Sequence, residues 1–329
     1  MPSNRGEPVK VVRLFVRFPE LAVLVAMLVV TFAAALWLGT SLVLPDGRMS
    51  FYLGFRYAVP LGLAALWLAV PLATDRLLRR GQPPRVQARD LAWNGVYLVV
   101  FSLVMWLHFH LKMWIPLLNP RRYDAFYQAI DVALAPLLTA TIAVRQAVAV
   151  LLPSVDWWYM WAFIVLFFVS FSYHTASDTS RFRPVFLATL INQSLGAVAY
   201  CLAPAVGPFL YDRGLNAMAD AQQQNMWAAY QQLTATGPAW LESYGQAYFV
   251  AGLAAMPSLH VGASWIFVWY VFRARSHLRL PYVLLFAWIV IEAMASKWHY
   301  LIDLPAGIVL AAVAIWIANR LCTISIRTA

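Results

Sequence analysis

Two short stretches of this 329-residue chain hold side chains suited to acid–base and nucleophilic work. One is Ala254-Ala255-Met256-Pro257-Ser258-Leu259-His260; the other is Ser296-Lys297-Trp298-His299-Tyr300-Leu301-Ile302-Asp303-Leu304-Pro305. His299 and Asp303 are four residues apart, so on a helix they share a face. The carboxylate then accepts from one ring nitrogen, fixes the tautomer and leaves the other nitrogen electron-rich. In the first stretch, Pro257 suits the opening turn of a helix. The unpaired N–H groups at such a start bind an anion, with Ser258 adding a hydroxyl and His260 facing the anion. Lys297 is one of only three lysines in the chain. Either stretch alone also fits a blander role, as a capped helix with an interfacial histidine or as a structural pair anchoring a helix end.

The elements that must position these residues are membrane spans. Hydrophobic residues make up 62% of the chain, charged residues 12%, and the mean hydropathy is +0.67. Eight apolar blocks read as spans: 20–44, 51–74, 91–117, 157–175, 185–206, 258–273, 281–297 and 300–320. The stretch 132–152 is apolar but interrupted by Pro136, Arg145 and Gln146, and reads as an interfacial or re-entrant helix. Arginines and Lys10 crowd the N-terminal arm, the loops after the second, fourth and sixth spans, and the C-terminus. Eight crossings put all of these on one side, which the positive-inside rule makes cytoplasmic. Both chemical stretches then open descending helices at the extracytoplasmic face, where their dipoles converge on one spot suited to a phosphate. The net charge of +10 thus reports orientation, and nucleic acid is not an expected partner. Residues 207–257, rich in Gln, Ala and aromatics, are expected to form a helical cap on that face.

At this point the sequence resembles a known family. The Pro-Ser-x-His and His-Tyr-x-x-Asp pair is similar to the second and third signature motifs of the type 2 phosphatidic acid phosphatase superfamily, over roughly 90–320. The resemblance implies that His299 is the nucleophile, forming a phosphohistidine, and that Asp303 orients it. It implies that His260 protonates the leaving group and then activates the acceptor, and that Ser258 binds phosphate oxygens. Two features depart from the pattern. Arg183-Pro184 has the letters of the first motif but falls on the cytoplasmic face, and Ala293 stands where an arginine usually precedes the third-motif histidine. Ala-Met-Pro-Ser-Leu-His, His-Tyr-Leu-Ile-Asp and Pro-Ala-Val-Gly-Pro at 204–208 resemble the inositol phosphorylceramide synthase and sphingomyelin synthase branch, whose members are phosphotransferases between lipids.

The cations that balance the phosphate charge are therefore open: Lys297, Arg213, Arg121 and Arg122 are the candidates, each with an alternative as a lipid-headgroup anchor. His108 and Lys112 share a face of the third span and are candidates to line the cleft. The spacing of His108 and His110 is poor for a shared metal, and no metal or other cofactor is expected. The reading is an all-α polytopic membrane enzyme in two parts. Residues 1–90 hold two N-terminal spans and a basic loop; residues 91–329 hold a six-helix catalytic core with the 207–257 cap. Its expected reaction moves a lipid-linked phosphate or phosphodiester to a lipid or sugar hydroxyl. Water as acceptor, making it a phosphatase, is the alternative, and a non-enzymatic transporter is the third reading.

Overall fold

The computed structural model describes residues 14–78, 87–173, 179–250 and 256–328. Arg5, Lys10 and Arg13 of the basic arm, Arg79, Arg80 and Arg85 of the basic loop, and Ala254-Ala255 of the first motif lie outside these residues. Every regular element among them is helical. In chain order the helices are α1 (Pro19–Leu38), α2 (Gly47–Leu53), α3 (Val59–Leu78), α4 (Ala88–Leu118), α5 (Asp124–Ala133), α6 (Ala135–Leu151) and α7 (Val155–Phe168). Then come α8 (Thr179–Leu202), α9 (Ala217–Thr236), α10 (Pro238–Tyr244), α11 (Leu259–Arg273), α12 (Arg279–Ala295) and α13 (Asp303–Thr328).

Six of these segments are long and apolar enough to cross a bilayer, α2 and α3 counting as one through a π-helical turn at Gly54–Ala58. The α11 and α12 helices, 15 and 17 residues, are the shorter counterparts of the expected spans at 258–273 and 281–297. The α5 and α6 helices together are apolar enough but bend by 81°, in keeping with an interrupted segment. The first span ends sooner than its composition suggests. Gly39 adopts the left-handed conformation (φ 62°) and Thr40 N–H donates back to Ala35, which closes the helix at Leu38 although the apolar run continues to residue 44. The side chains that α1 turns outward, Leu36 and Trp37 among them, are apolar and 83% exposed, as a lipid-facing surface requires.

The α8 helix runs through the middle, packed on α4, α11 and α13, with α1 and α3 laid against α4. Phe101, Phe167, Phe171, Phe182 and Phe186 interlock in its core with ring centroids roughly 5–6 Å apart. Two buried ionic clusters mark the ends of the bundle. At one, Arg183 donates to Glu20 (2.6 Å) beside Ser325. At the other, Arg145 of α6 pairs with Asp156 and Glu292, and Asn216 joins through Glu292 (2.7 Å). The expected cap over 207–257 is helical where it is described: α9 and α10 lie within it, and Asp46 N–H donates to Gln246 O (3.2 Å).

Candidate active site

His299 and Asp303 are in contact, but not as the helical pair that their spacing suggests. The α13 helix begins at Asp303, not at residue 300, so His299 lies in the turn before it. Asp303 folds back as that turn's acceptor: Oδ2 takes the Tyr300 N–H at 2.8 Å and faces His299 Nδ1 at 3.3 Å. A residue at the mouth of a helix with a short acceptor side chain favours this closure over another helical turn. Both side chains are buried, 5% exposed for His299 and 0% for Asp303. His299 N–H is anchored on the Ala293 carbonyl (3.2 Å), at the position where the family's arginine is missing.

The Pro-Ser-x-His stretch is clamped directly to this turn. Ser258 N–H donates to the Asp303 carbonyl at 3.0 Å, so the two stretches meet through their backbones. Gly262 and Gly307 allow the approach. A Cβ at Gly307 would stand 2.3 Å from Ser258 O, and one at Gly262 would stand 2.8 Å from Gly307 O. Ser258, and not Pro257, occupies the helix boundary: it is the N-cap of α11, and its hydroxyl accepts from Val261 N–H. Pro257 therefore lies just outside the helix, where the sequence reading had placed it in the opening turn.

This local capping changes the anion argument. Val261 N–H is satisfied by Ser258 Oγ, Ser258 N–H by the Asp303 carbonyl and Gly262 N–H by the Ser258 carbonyl. At α13, the N–H groups of Asp303, Leu304 and Ala306 turn back on carbonyls of 300–302. The dipoles still converge, but most of the donors expected for a phosphate are already engaged.

A second layer comes from α5, which the sequence reading did not single out. Its buried face presents Asp124, Tyr127 and Asp131, at i, i+3 and i+7. Asp124 Oδ1 accepts from Val206 N–H (2.9 Å), Gly207 N–H (3.0 Å) and the Tyr300 hydroxyl (2.8 Å). Asp131 accepts from Leu301 N–H (2.8 Å). Burial, and then the Asp124 charge, push the Tyr300 phenol well above its ordinary range, so it stays a donor. The Pro-Ala-Val-Gly-Pro segment is thereby joined to the His-Tyr-x-x-Asp turn through one carboxylate. From above, Gln223 of α9 donates to Ser296 O (2.8 Å), and Leu215 N–H donates to Ala295 O (2.9 Å).

The cations named from the sequence have other partners. Lys297 lies 3.4 Å from Asp212 and sits at φ 57°, closing α12. Arg213 is 79% exposed and 3.9 Å from Asp220. Arg121 is exposed, and the Arg122 guanidinium lies 5.5 Å above the Trp227 ring. Arg183 is held by Glu20 at the other end of α8. Of the cleft candidates, His108 engages the Gln193 carbonyl (2.9 Å), and Lys112 lies over the Phe109 ring (5.7 Å).

Arg56, which the sequence reading passed over, reaches His260. It lies in the π-helical turn of Gly54–Ala58 and is 6% exposed. Its Nη2 is 2.5 Å from His260 Nε2, and its Nη1 donates to the Tyr52 hydroxyl (2.7 Å). The guanidinium packs over Phe163 (4.6 Å), whose ring in turn stands edge-on to His260 (4.4 Å). The signal was present in Phe-Tyr-Leu-Gly-Phe-Arg-Tyr-Ala-Val-Pro: a lone arginine inside an apolar block is a functional flag.

A family model described as the PAP2 superfamily matches residues 125–317, which carry α5 to α13 and both histidine motifs. No curated protein and no solved structure matches the chain.

Proposed function

Because the chain belongs to the PAP2 superfamily, a group of phosphatases and phosphotransferases, we propose that it transfers a phosphoryl or phosphodiester group from a membrane lipid through His299. The observation that carries this reading is the His299–Asp303 pair, locked by a backbone hydrogen bond to the segment that presents His260. Asp303 against Nδ1 leaves Nε2 as the attacking nitrogen. As the N–P bond forms, the bond from phosphorus to the leaving oxygen breaks, and His260 gives that oxygen a proton. An acceptor hydroxyl, losing its proton to His260, then attacks the phosphohistidine and returns the His299 ring to its starting state. Ser258 contributes a hydroxyl to the phosphate oxygens.

The site is assigned to the extracytoplasmic face, on the basic loops that the positive-inside rule retains in the cytoplasm. The proposed acceptor is a lipid or sugar hydroxyl, as in the lipid phosphotransferases that the motif variants resemble. The cap pinned on Ser296 and Ala295 supports this choice, since it limits the approach of water.

The test incubates purified protein with lipid phosphate labelled on phosphorus, with and without lipid and sugar alcohols. Label appearing in a new lipid or sugar ester supports the transferase. Label found only in free phosphate, whichever alcohol is present, makes it a phosphatase. Label retained on His299 after acid-free quenching, and absent from His299→Ala, identifies the covalent intermediate.

A further inference from the structure

The charge of a transferred phosphate requires cations, and those expected from the sequence are engaged elsewhere. The buried arginines of the bundle supply a comparison. Arg145 is matched by Asp156 and Glu292, and Arg183 by Glu20. Arg56 is as buried as Arg145, yet among the described residues no carboxylate pairs with it or with Lys112. Its Nε is buried without a hydrogen-bond partner. An arginine sequestered in an apolar bundle without an anion is costly, and a guanidinium presents a planar fork that fits phosphate oxygens. The backbone agrees: a π-helical turn inside a span is an irregularity that concentrates at functional sites, and it is this turn that carries Arg56.

We infer that Arg56 is the phosphate-binding cation of this enzyme, with Lys112 of α4, a half-buried lysine packed on Phe109, as a second cation. The second N-terminal span would then be a working part of the site, although both residues lie outside the region that matches the family. The inference rests on the proposed phosphoryl-transfer reading and adds a step to it. Arg56 donates to His260 Nε2; a phosphate oxygen competes for that same N–H. Binding of the phosphate therefore releases Nε2, which takes up a proton from solvent, delivers it to the leaving oxygen and regains one from the acceptor hydroxyl. The ligand chemistry is a phosphate mono- or diester anion, either on a lipid headgroup or free.

The experiment uses the full-length chain in detergent. Affinity is measured calorimetrically for inorganic phosphate and, separately, for phosphatidic acid in mixed micelles. Wild type, Arg56→Met, Arg56→Lys, Lys112→Met and His299→Ala are compared. Arg56→Met is expected to weaken binding of one or both ligands at least about tenfold, and Arg56→Lys less, since it keeps the charge and loses the fork. Lys112→Met is expected to weaken it a few-fold. Loss confined to the micelles identifies a lipid headgroup; loss with both ligands identifies the phosphate group itself. Should Arg56→Met fail to fold, Arg56→Lys decides, by raising KM for a lipid phosphate while leaving the unfolding temperature in place. Unchanged affinity in the Arg56 variants, or no binding of either ligand by wild type, overturns the inference. His299→Ala separates the two ideas: full turnover in that variant removes the phosphohistidine reading, while the binding result for Arg56 stands on its own.

Discussion

In the proposed reaction three side chains have separable jobs, and their variants should fail differently. His299→Ala removes the attacking nitrogen and should abolish both turnover and trapping of label. His260→Ala leaves the nucleophile but no proton donor. It should cost about 10²–10⁴-fold in kcat, with partial recovery for substrates whose leaving group needs no protonation. Asp303→Asn exchanges an acceptor for an amide that can present its NH₂ to Nδ1, so the preferred His299 tautomer is lost. Pre-steady-state kinetics should show a slowed first step, with binding of inorganic phosphate kept. At this scale the sequence was informative about which residues meet, since the stretches of His260 and of His299 and Asp303 are joined in the fold. It could flag Arg56 only as a lone arginine in an apolar block, without naming its partner. Nothing in a one-dimensional pattern says that a residue some two hundred positions upstream will reach His260 Nε2. Lys297 and Arg213 looked well placed by proximity in the chain, and their actual partners, Asp212 and Asp220, became visible only once the loops closed.

The elements were legible as apolar blocks, but their ends were not. The distance from His299 to Asp303 suits a helix and a capped turn equally; the turn forms because Asp303 accepts the Tyr300 N–H. Likewise Gly39 stops α1 while hydropathy continues. The crossing of α11 and α13 gives a sharp prediction. Gly307→Ala places a methyl 2.3 Å from Ser258 O, so the first-motif segment must move away from Asp303. We expect a destabilisation of about 1–3 kcal/mol. A shift of the reacting groups on that order should also cost about 10²-fold in kcat. A thermal melt and a steady-state assay on the same preparation check both, and wild-type activity would contradict the coupling. Asp124→Ala strips the acceptor from Val206, Gly207 and Tyr300 together. With three donors left unpaired, a loss of about 3 kcal/mol or more is expected. Tyr300→Phe, which removes one of the three, should cost about 1 kcal/mol.

The whole molecule sets where the chemistry faces. Hydropathy and the loop arginines led to the helical bundle with its capped end, and α8, α11 and α13 assemble the two motifs at that end. The proposed sidedness rests on the loop charges and is open to a direct test. Arg213→Cys, at a position 79% exposed beside the cap, should react with a membrane-impermeant maleimide added outside intact cells or right-side-out vesicles. Arg273→Cys, at the end of α11, should react only after permeabilisation. The reverse pattern would turn the enzyme over. The buried Arg145–Glu292 pair lies at the same end as the cap, and Glu292→Ala should lower the unfolding free energy by about 3–5 kcal/mol, because it leaves Arg145 with Asp156 alone.

The π-helical turn at Gly54–Ala58 has a bearing on how such a site is acquired. A π turn accommodates one residue more than the α-helical path, and each residue of an α-helix advances the next by about 100°. Deleting one residue from Gly54–Ala58 would restore the regular helix and swing the upstream segment round by that angle relative to Val59–Leu78. Arg56 would then be carried off His260 toward lipid or a neighbouring helix, with the length of the span nearly unchanged. A single codon is thus enough to separate an anchoring helix from one that delivers a charge, and ancillary spans can be recruited into catalysis without any new loop or domain.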